Sequence, residues 1–161
     1  MSMNPEDMDV PFYNGITQAE TGSFQVPWIR TTYRKAPGGS TAFGPAQLTY
    51  TTAKDYVDRK LVSSESAQFF KRIMEPMYQG FQKHGNKKNL TEDQKKFDYG
   101  GTGGFDPSQH APRYEQLAQE IMRAKLKEKN GDVRAAIQSW RGVPRSADPR
   151  YYAVAEGAMN E

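Results

Sequence analysis

Glu20 is the residue whose position best suits acid–base chemistry. If the residues before it form a helix, Phe12, Ile16 and Glu20 share one face of that helix. An ionised Glu rarely faces a core without a partner, and desolvation favours the protonated form that a general acid requires. Thr21 and Gly22 should end the helix and leave Glu20 on its last turn, beside a loop that a substrate can reach. The alternative is a partly exposed Glu at a helix C-terminus.

A second segment, residues 42–48 with the sequence AFGPAQL, favours a binding turn. Gly44 beside Pro45 predicts a sharp, fixed backbone, and Gln47 offers amide donors and an acceptor. A third segment begins at Tyr99, which precedes four glycines within residues 100–104. These glycines indicate close backbone approach or a flexible linker. They do not form a phosphate loop, because the Gly-Lys-Ser/Thr ending and a preceding apolar strand are missing.

In this order, the three segments resemble the soluble lytic transglycosylase and goose-type lysozyme superfamily. In that superfamily, Glu-Ser-Gly closes a helix, a Gly-Ala-x-Gly-Leu-Met-Gln turn follows, and Tyr-Asn-x-Gly-x-Gly comes after a further helix. This chain has ETG at residues 20–22, TAFGPAQ at residues 41–47 and YGGTG at residues 99–103, with Gly100 where Asn is usual. A late superfamily motif, a Pro turn leading to Arg-x-Tyr and a terminal helix, has a looser counterpart in residues 143–152.

The resemblance implies a mainly α, lysozyme-like single domain with a glycan cleft, spanning residues 11–161 after a flexible arm of residues 1–10. It implies cleavage of the β-1,4 bond between N-acetylmuramic acid and N-acetylglucosamine in peptidoglycan, with a 1,6-anhydro product. Glu20 would act first as acid and then as base, with a tyrosine, Tyr99, placed against it. The implied substrate-binding residues are Phe43, Gly44, Gln47, Tyr99 and Tyr152.

Two other functions stay open. A hydrolytic muramidase needs a second carboxylate across the scissile bond, and Asp98 is the best candidate. Asp55 and Asp58 are expected on the surface, because they lie on a predicted helix whose other face is apolar. The third possibility is a non-catalytic, glycan-binding structural protein of a bacteriophage.

Composition excludes several other kinds of site. The 161 residues include no cysteine, which rules out a thiol nucleophile and a disulfide framework, and only two histidines, His84 and His110, expected on the surface. We therefore predict no metal and no cofactor. The net charge is +3, and the basic residues form no long block, so a nucleic-acid partner is not expected.

The length of the apolar runs and the N-terminal sequence indicate the cellular location of the protein. No apolar run approaches the ~20 residues of a membrane span, so none is predicted. The N-terminus is acidic and polar, unlike a secretory signal. Together with the resemblance to enzymes that cleave the cell wall, these features imply a protein of a phage virion or of the host cytoplasm before release, acting in the host cell wall or periplasm. Other virion proteins are the further partners that such an origin implies.

Capping residues and apolar periodicity predict the helices that position the candidate residues. Residues 22–41 are expected to form a structured loop. The predicted elements are a helix from Thr51 or Thr52 through Leu61, a helix opened by Ser63 and Ser64 and kinked or divided at Pro76, a short helix begun by Thr91, an amphipathic helix from Pro112 to Lys129, a helix capped by Asp132 and ended by Gly142, and a last helix begun by Asp148 and Pro149.

Overall fold

The computed structural model describes residues 10–21, 34–35, 41–76, 78, 107–142 and 145–159, and this part of the chain is mainly α, as predicted. Three short strands form an antiparallel sheet in the order β1-β2-β3. The elements are α1 (Val10–Thr21), β1 (Arg34–Lys35), β2 (Thr41–Phe43), β3 (Leu48–Thr49), α2 (Tyr50–Asp58), α3 (Ser64–Phe69) continued by a π-helical segment (Phe70–Met74), α4 (Pro107–Glu128), α5 (Val133–Arg141), a 3-10 turn (Arg145–Ala147) and α6 (Pro149–Met159).

Helix α1 has the predicted apolar stripe. Pro11 lies in its first turn, where the missing N–H removes no helical hydrogen bond. Phe12 and Ile16 are fully buried, and Glu20, one turn further, is half-buried. Thr21 is the last helical residue, as predicted. Residues 1–9 of the predicted arm lie outside the described residues.

Helix α2 begins and ends earlier than predicted. Thr49 caps it, because its hydroxyl accepts a hydrogen bond from the Thr52 amide at 3.2 Å. The helix ends at Asp58, since Lys60 adopts a left-handed conformation with φ of +59°. Leu61 therefore leaves the helix and is 40% exposed instead of facing the core.

Helix α3 begins at the predicted cap, Ser63, which accepts a hydrogen bond from the Ser66 amide. Pro76 was predicted to kink or divide the following helix, and the described residues show an irregularity directly before it. The chain widens into a π-helical segment, so that the Glu75 amide bonds the Phe70 carbonyl, five residues back. A wider turn accommodates a proline ring that would collide with the carbonyl four residues earlier in a regular helix.

Helix α4 starts at Pro107, five residues ahead of the predicted Pro112. The sequence Asp106-Pro107 has the same cap-and-proline pattern as Asp148-Pro149 before the last helix and is a start signal for α4 as good as Pro112. Pro112 lies inside the helix, where it removes the hydrogen bond to the Ser108 carbonyl.

Helix α5 has its predicted limits, and α6 has its predicted start. Asp132 caps α5 by accepting a hydrogen bond from the Ala135 amide at 3.2 Å. Gly142 ends α5 in a left-handed conformation with φ of +82°, and Pro149 opens α6. The predicted loop of residues 22–41 and the helix begun by Thr91 fall largely or wholly outside the described residues.

One hydrophobic core joins these elements. Helix α1 packs along α6, and α4 contacts α1, α3 and α5. The largest fully buried side chains of the described residues come from nearly every element; they are Tyr78, Tyr114, Tyr152, Phe12, Phe43, Phe70, Ile16, Leu48 and Met74.

A buried cation lies where α4 meets α5. Lys125 is only 5% exposed. Its Nζ donates hydrogen bonds to Ser139 Oγ at 2.8 Å and to the Ser139 carbonyl at 3.3 Å, and lies 5.1 Å from the centroid of the Tyr56 ring. Burial lowers the pKa of Lys125 below its ordinary value of 10.5.

This lowered pKa predicts a pH-dependent stability. Between the folded pKa of Lys125 and 10.5 the unfolded chain binds more protons, so the contribution of Lys125 to the free energy of unfolding rises with pH. Lys125→Met removes the ionisable group and therefore this pH-dependent contribution to the free energy of unfolding. In urea denaturation, the stability of the variant relative to the native protein should therefore fall as the pH rises towards 10.5, the ordinary pKa of lysine. Parallel pH profiles would contradict the assignment.

Candidate functional site

Glu20 is held at the end of α1 by a tyrosine from the last helix. The Tyr151 hydroxyl donates a hydrogen bond to Glu20 Oε1 at 3.0 Å. Tyr151 belongs to the first turn of α6 and is 6% exposed, whereas Glu20 is half-buried. The packing of α1 along α6 thus brings together two residues that are far apart in sequence.

The Tyr151 hydroxyl remains a neutral hydrogen-bond donor. Burial raises the pKa of Tyr151 well above its ordinary value, and the neighbouring Glu20 carboxylate raises this pKa further. A tyrosine hydroxyl can both donate and accept. Tyr151 can therefore contact the carboxyl group of Glu20 in either of its protonation states.

An ion pair supports the tyrosine ring. The Arg141 guanidinium carbon lies 5.0 Å from the centroid of the Tyr151 ring. The same guanidinium donates to Asp148 Oδ2 through Nη2 at 3.1 Å and through Nε at 3.3 Å. Asp148 thus fixes the arginine, and the arginine packs against the tyrosine that contacts Glu20.

These side chains surround an open pocket of about 610 Å³. Pockets that bind small ligands commonly measure about 300–1,000 Å³. The lining combines two acidic and two basic side chains with a tyrosine, an amide and two small apolar groups. The described residues that line it are Gln18, Ala19, Glu20, Arg141, Asp148, Arg150, Tyr151 and Val154.

The predicted sharp turn joins β2 to β3. The Gln47 amide donates to the Gly44 carbonyl at 3.0 Å, and the Gln47 side-chain Nε2 donates to the same oxygen at 2.9 Å. Gln47 has φ of +52°, a left-handed conformation that is uncommon for a residue other than glycine. These bonds confirm the turn and show that Gln47 helps to close it.

Aromatic side chains fasten this turn to the core. The Tyr114 hydroxyl donates to the Phe43 carbonyl at 2.7 Å and accepts from the Ala46 amide at 3.2 Å. Trp140 Nε1 donates to the Ala46 carbonyl at 3.0 Å, and the Tyr78 hydroxyl donates to the first carbonyl of β3. Buried Tyr and Trp need such partners for their polar atoms, and here the backbone of the turn supplies them.

The end of α5 connects the turn with the Glu20 pocket. Trp140 bonds the turn, and the next residue, Arg141, packs on Tyr151. The two candidate parts of the site are therefore attached to consecutive side chains of one helix. Gln47 itself is not among the described residues that line the pocket around Glu20.

Three of the residues predicted to contact the substrate are buried in the structure. Phe43 is fully buried and packs edge-on against Tyr114, with 5.9 Å between ring centroids. Gly44 is buried under the same ring, and Tyr152 is 1% exposed. Their side chains or backbone support the turn and the core in this structure instead of facing a ligand. Among the described residues, Tyr151, which is next to the predicted Tyr152, donates a hydrogen bond to Glu20.

Three other residues predicted from the sequence, Tyr99, Asp98 and His84, lie outside the described residues. The Asp55 and Asp58 side chains are 52% and 55% exposed and pair with basic neighbours on α2 and just beyond it, so their surface position is confirmed.

The remaining predicted histidine, His110, is half-buried. Its ring centroid lies 5.9 Å from that of Phe69, so it packs between helices instead of lying fully on the surface.

Sequence reasoning missed Arg141, Arg150 and the pairing role of Asp148. Asp148 was predicted only as a helix cap, and the stretch from Arg150 to Tyr152 only as a loose match to the late motif. That stretch was the available signal for Tyr151. The pairing of Arg141 with Asp148 has no such signal, because the bend between α5 and α6 sets it.

Comparison with protein-family models, curated proteins and solved structures found no match to this chain. Within the described ranges, no three His, Cys, Asp or Glu side chains are grouped so that they could hold a metal ion. No helix of the same ranges has the length and apolar character needed to cross a membrane.

Proposed function

We propose that this protein is a peptidoglycan lytic transglycosylase, which cleaves the β-1,4 bond between N-acetylmuramic acid and N-acetylglucosamine and leaves a 1,6-anhydro product. One observation carries the proposal. Glu20, on the last turn of α1, lies at the wall of an open pocket and is oriented by the buried Tyr151 hydroxyl. Its site of action would be the bacterial cell wall, and a phage origin would make other virion proteins its partners.

The chemistry needs one carboxyl group in two protonation states. The protonated Glu20 donates its proton to the glycosidic oxygen as the bond to the muramic acid C1 breaks. The resulting carboxylate then takes the proton of the C6 hydroxyl of the same sugar, whose oxygen bonds C1. Glu20 ends as it began, and no water is consumed.

The Tyr151 hydroxyl suits both steps of this mechanism. It can donate to the carboxylate form of Glu20, through the hydrogen bond to Oε1, and it can accept from the protonated form. The Arg141 guanidinium against the ring holds Tyr151 in place. We therefore assign Tyr151 as the residue that positions Glu20.

Tyr151→Phe tests this positioning role. The change removes one hydrogen bond to a carboxylate and keeps the ring, so we expect cleavage to slow by about ten- to a hundredfold. Stability should change by about 1 kcal/mol. Tyr152→Phe is the matched control, because it removes the hydroxyl of the adjacent tyrosine, which is buried in the core. This change should alter stability without slowing cleavage by the folded protein. Equal rates for both variants would show that Tyr151 only packs.

A second candidate function is a hydrolytic muramidase, favoured by the second carboxylate in the same pocket. Hydrolysis uses a carboxylate to activate water or to form a glycosyl intermediate. Asp148 lines the pocket with Glu20. Its oxygen Oδ2 is engaged by Arg141, which suits a structural carboxylate better than a nucleophile.

Mass spectrometry of the muropeptides released from purified peptidoglycan separates these functions. A transglycosylase releases 1,6-anhydro ends, which are lighter by one water than the reducing ends of a hydrolase. The Asp148→Asn variant should still give anhydro products. Reducing ends from the native protein would establish the hydrolase instead, and a protein that binds the glycan without clearing a peptidoglycan suspension would be the structural module.

A further inference from the structure

The pocket around Glu20 holds a cation that the proposed cleavage does not use. Two of its lining residues are arginines, Arg141 and Arg150. Arg141 is engaged by Asp148. Arg150 is exposed and, within the described part of the chain, makes no ion pair with an acidic side chain. Its guanidinium is therefore available to a ligand that enters the pocket.

The place of Arg150 in the fold does not explain its charge. It is the second residue of α6, and the positive end of the helix dipole disfavours a cation there. Val154, one helical turn further along the same face, also lines the pocket. Arg150 and Val154 together offer a bound molecule one anion-binding group and one small apolar surface.

We propose that Arg150 binds a carboxylate of the peptide stem on the glycan strand whose cleaved bond lies at Glu20. This inference rests on the proposed function. The sugars of the strand present hydroxyl and acetamido groups, which are neutral, whereas the peptide attached to the muramic acid lactyl group carries free carboxylates. Guanidinium recognises carboxylate through paired, charge-assisted hydrogen bonds.

A second arginine, Arg141, lies in the same pocket wall as Arg150. Arg141, fixed by Asp148 and by the Tyr151 ring, adds a second cation to the pocket wall. Val154 provides the apolar surface that a lactyl or alanyl methyl group would contact. The pocket therefore selects strands that keep their peptides over strands from which the peptides have been removed.

Binding measurements test this without requiring cleavage. In the Glu20→Gln background, calorimetry compares strands that carry peptide stems with strands stripped of stems by an amidase. Stem-bearing strands should bind about tenfold more tightly. Adding Arg150→Gln should erase that difference and leave binding of stripped strands unchanged. Arg134→Gln is the matched control, since this exposed arginine of α5 pairs with Glu156 away from the pocket and should keep the preference.

Each outcome bears on the inference separately from the proposed function. Equal affinity for the two kinds of strand, a preference that survives Arg150→Gln, or no binding to either strand would overturn the stem-binding role. Absence of cleavage by the native protein would instead remove the transglycosylase function, while a stem preference that depends on Arg150 would still stand. The melting temperature of the Arg150→Gln variant should match the native value, because this side chain is exposed. Arg134→Gln should melt somewhat lower, because Glu156, whose side chain is only 11% exposed, loses this ion pair.

Discussion

Replacing Glu20 by Gln should slow peptidoglycan cleavage by 10²–10⁴-fold or more, the range typical for loss of a general acid–base group. The amide keeps the shape of the side chain and an oxygen that can accept from Tyr151, so α1 and the pocket should remain intact. Release of muropeptides measures the rate, and thermal melting measures the fold. We expect near-native melting behaviour together with loss of product.

Glu65→Gln is a suitable control for this experiment. Glu65 undergoes the same change of charge, and its side chain is 63% exposed on α3, where it pairs with Arg113. It should leave cleavage unaltered. If Glu20→Gln retained near-normal cleavage, the proton would have to come from another carboxyl group.

Gly44→Ala should be the most damaging of the single-residue changes to stability, at about 2–5 kcal/mol. Gly44 has φ of +83°, which costs an alanine about 1–2 kcal/mol. A Cβ there would also overlap the ring and hydroxyl of Tyr114, and overpacking of a core costs typically 1–3 kcal/mol more. Urea denaturation measures the loss.

Gly142→Ala separates the two contributions. Gly142 has nearly the same backbone angle, φ of +82°, but an added Cβ would meet no atom within 4 Å. Only the backbone cost of about 1–2 kcal/mol should appear. If the two alanine variants lost equal stability, Tyr114 could be displaced from Gly44 without cost, and its hold on the turn would be weak.

Local signals explain the parts of the fold that the sequence predicted well. Ser63 and Asp132 are side-chain caps, and Gly142 is a left-handed terminator, so each acts on neighbouring backbone alone. The start of α2 was harder to predict, because several threonines that could each cap a helix stand close together there. In the structure the cap is Thr49, the last residue of β3.

The candidate site was only partly predictable, because tertiary packing selects among neighbouring residues. Glu20 could be found from its apolar stripe. Tyr151 and Tyr152 lie next to each other on α6 and so point about 100° apart, and the rotation of α6 against α1 decides which one meets Glu20. No local pattern encodes that rotation.

The attachment of the turn and of Tyr151 to the end of α5 has a consequence for how the chain can vary. Glu20 and Gln47 are joined in sequence by residues 21–46, yet Trp140 and Arg141 anchor the two regions from outside that connection. The spacing between the acid and the turn is therefore fixed from α5 as well as through the connecting residues, which include the sheet-forming Arg34 and Lys35. A change in the length of that connection would have to preserve these two anchors.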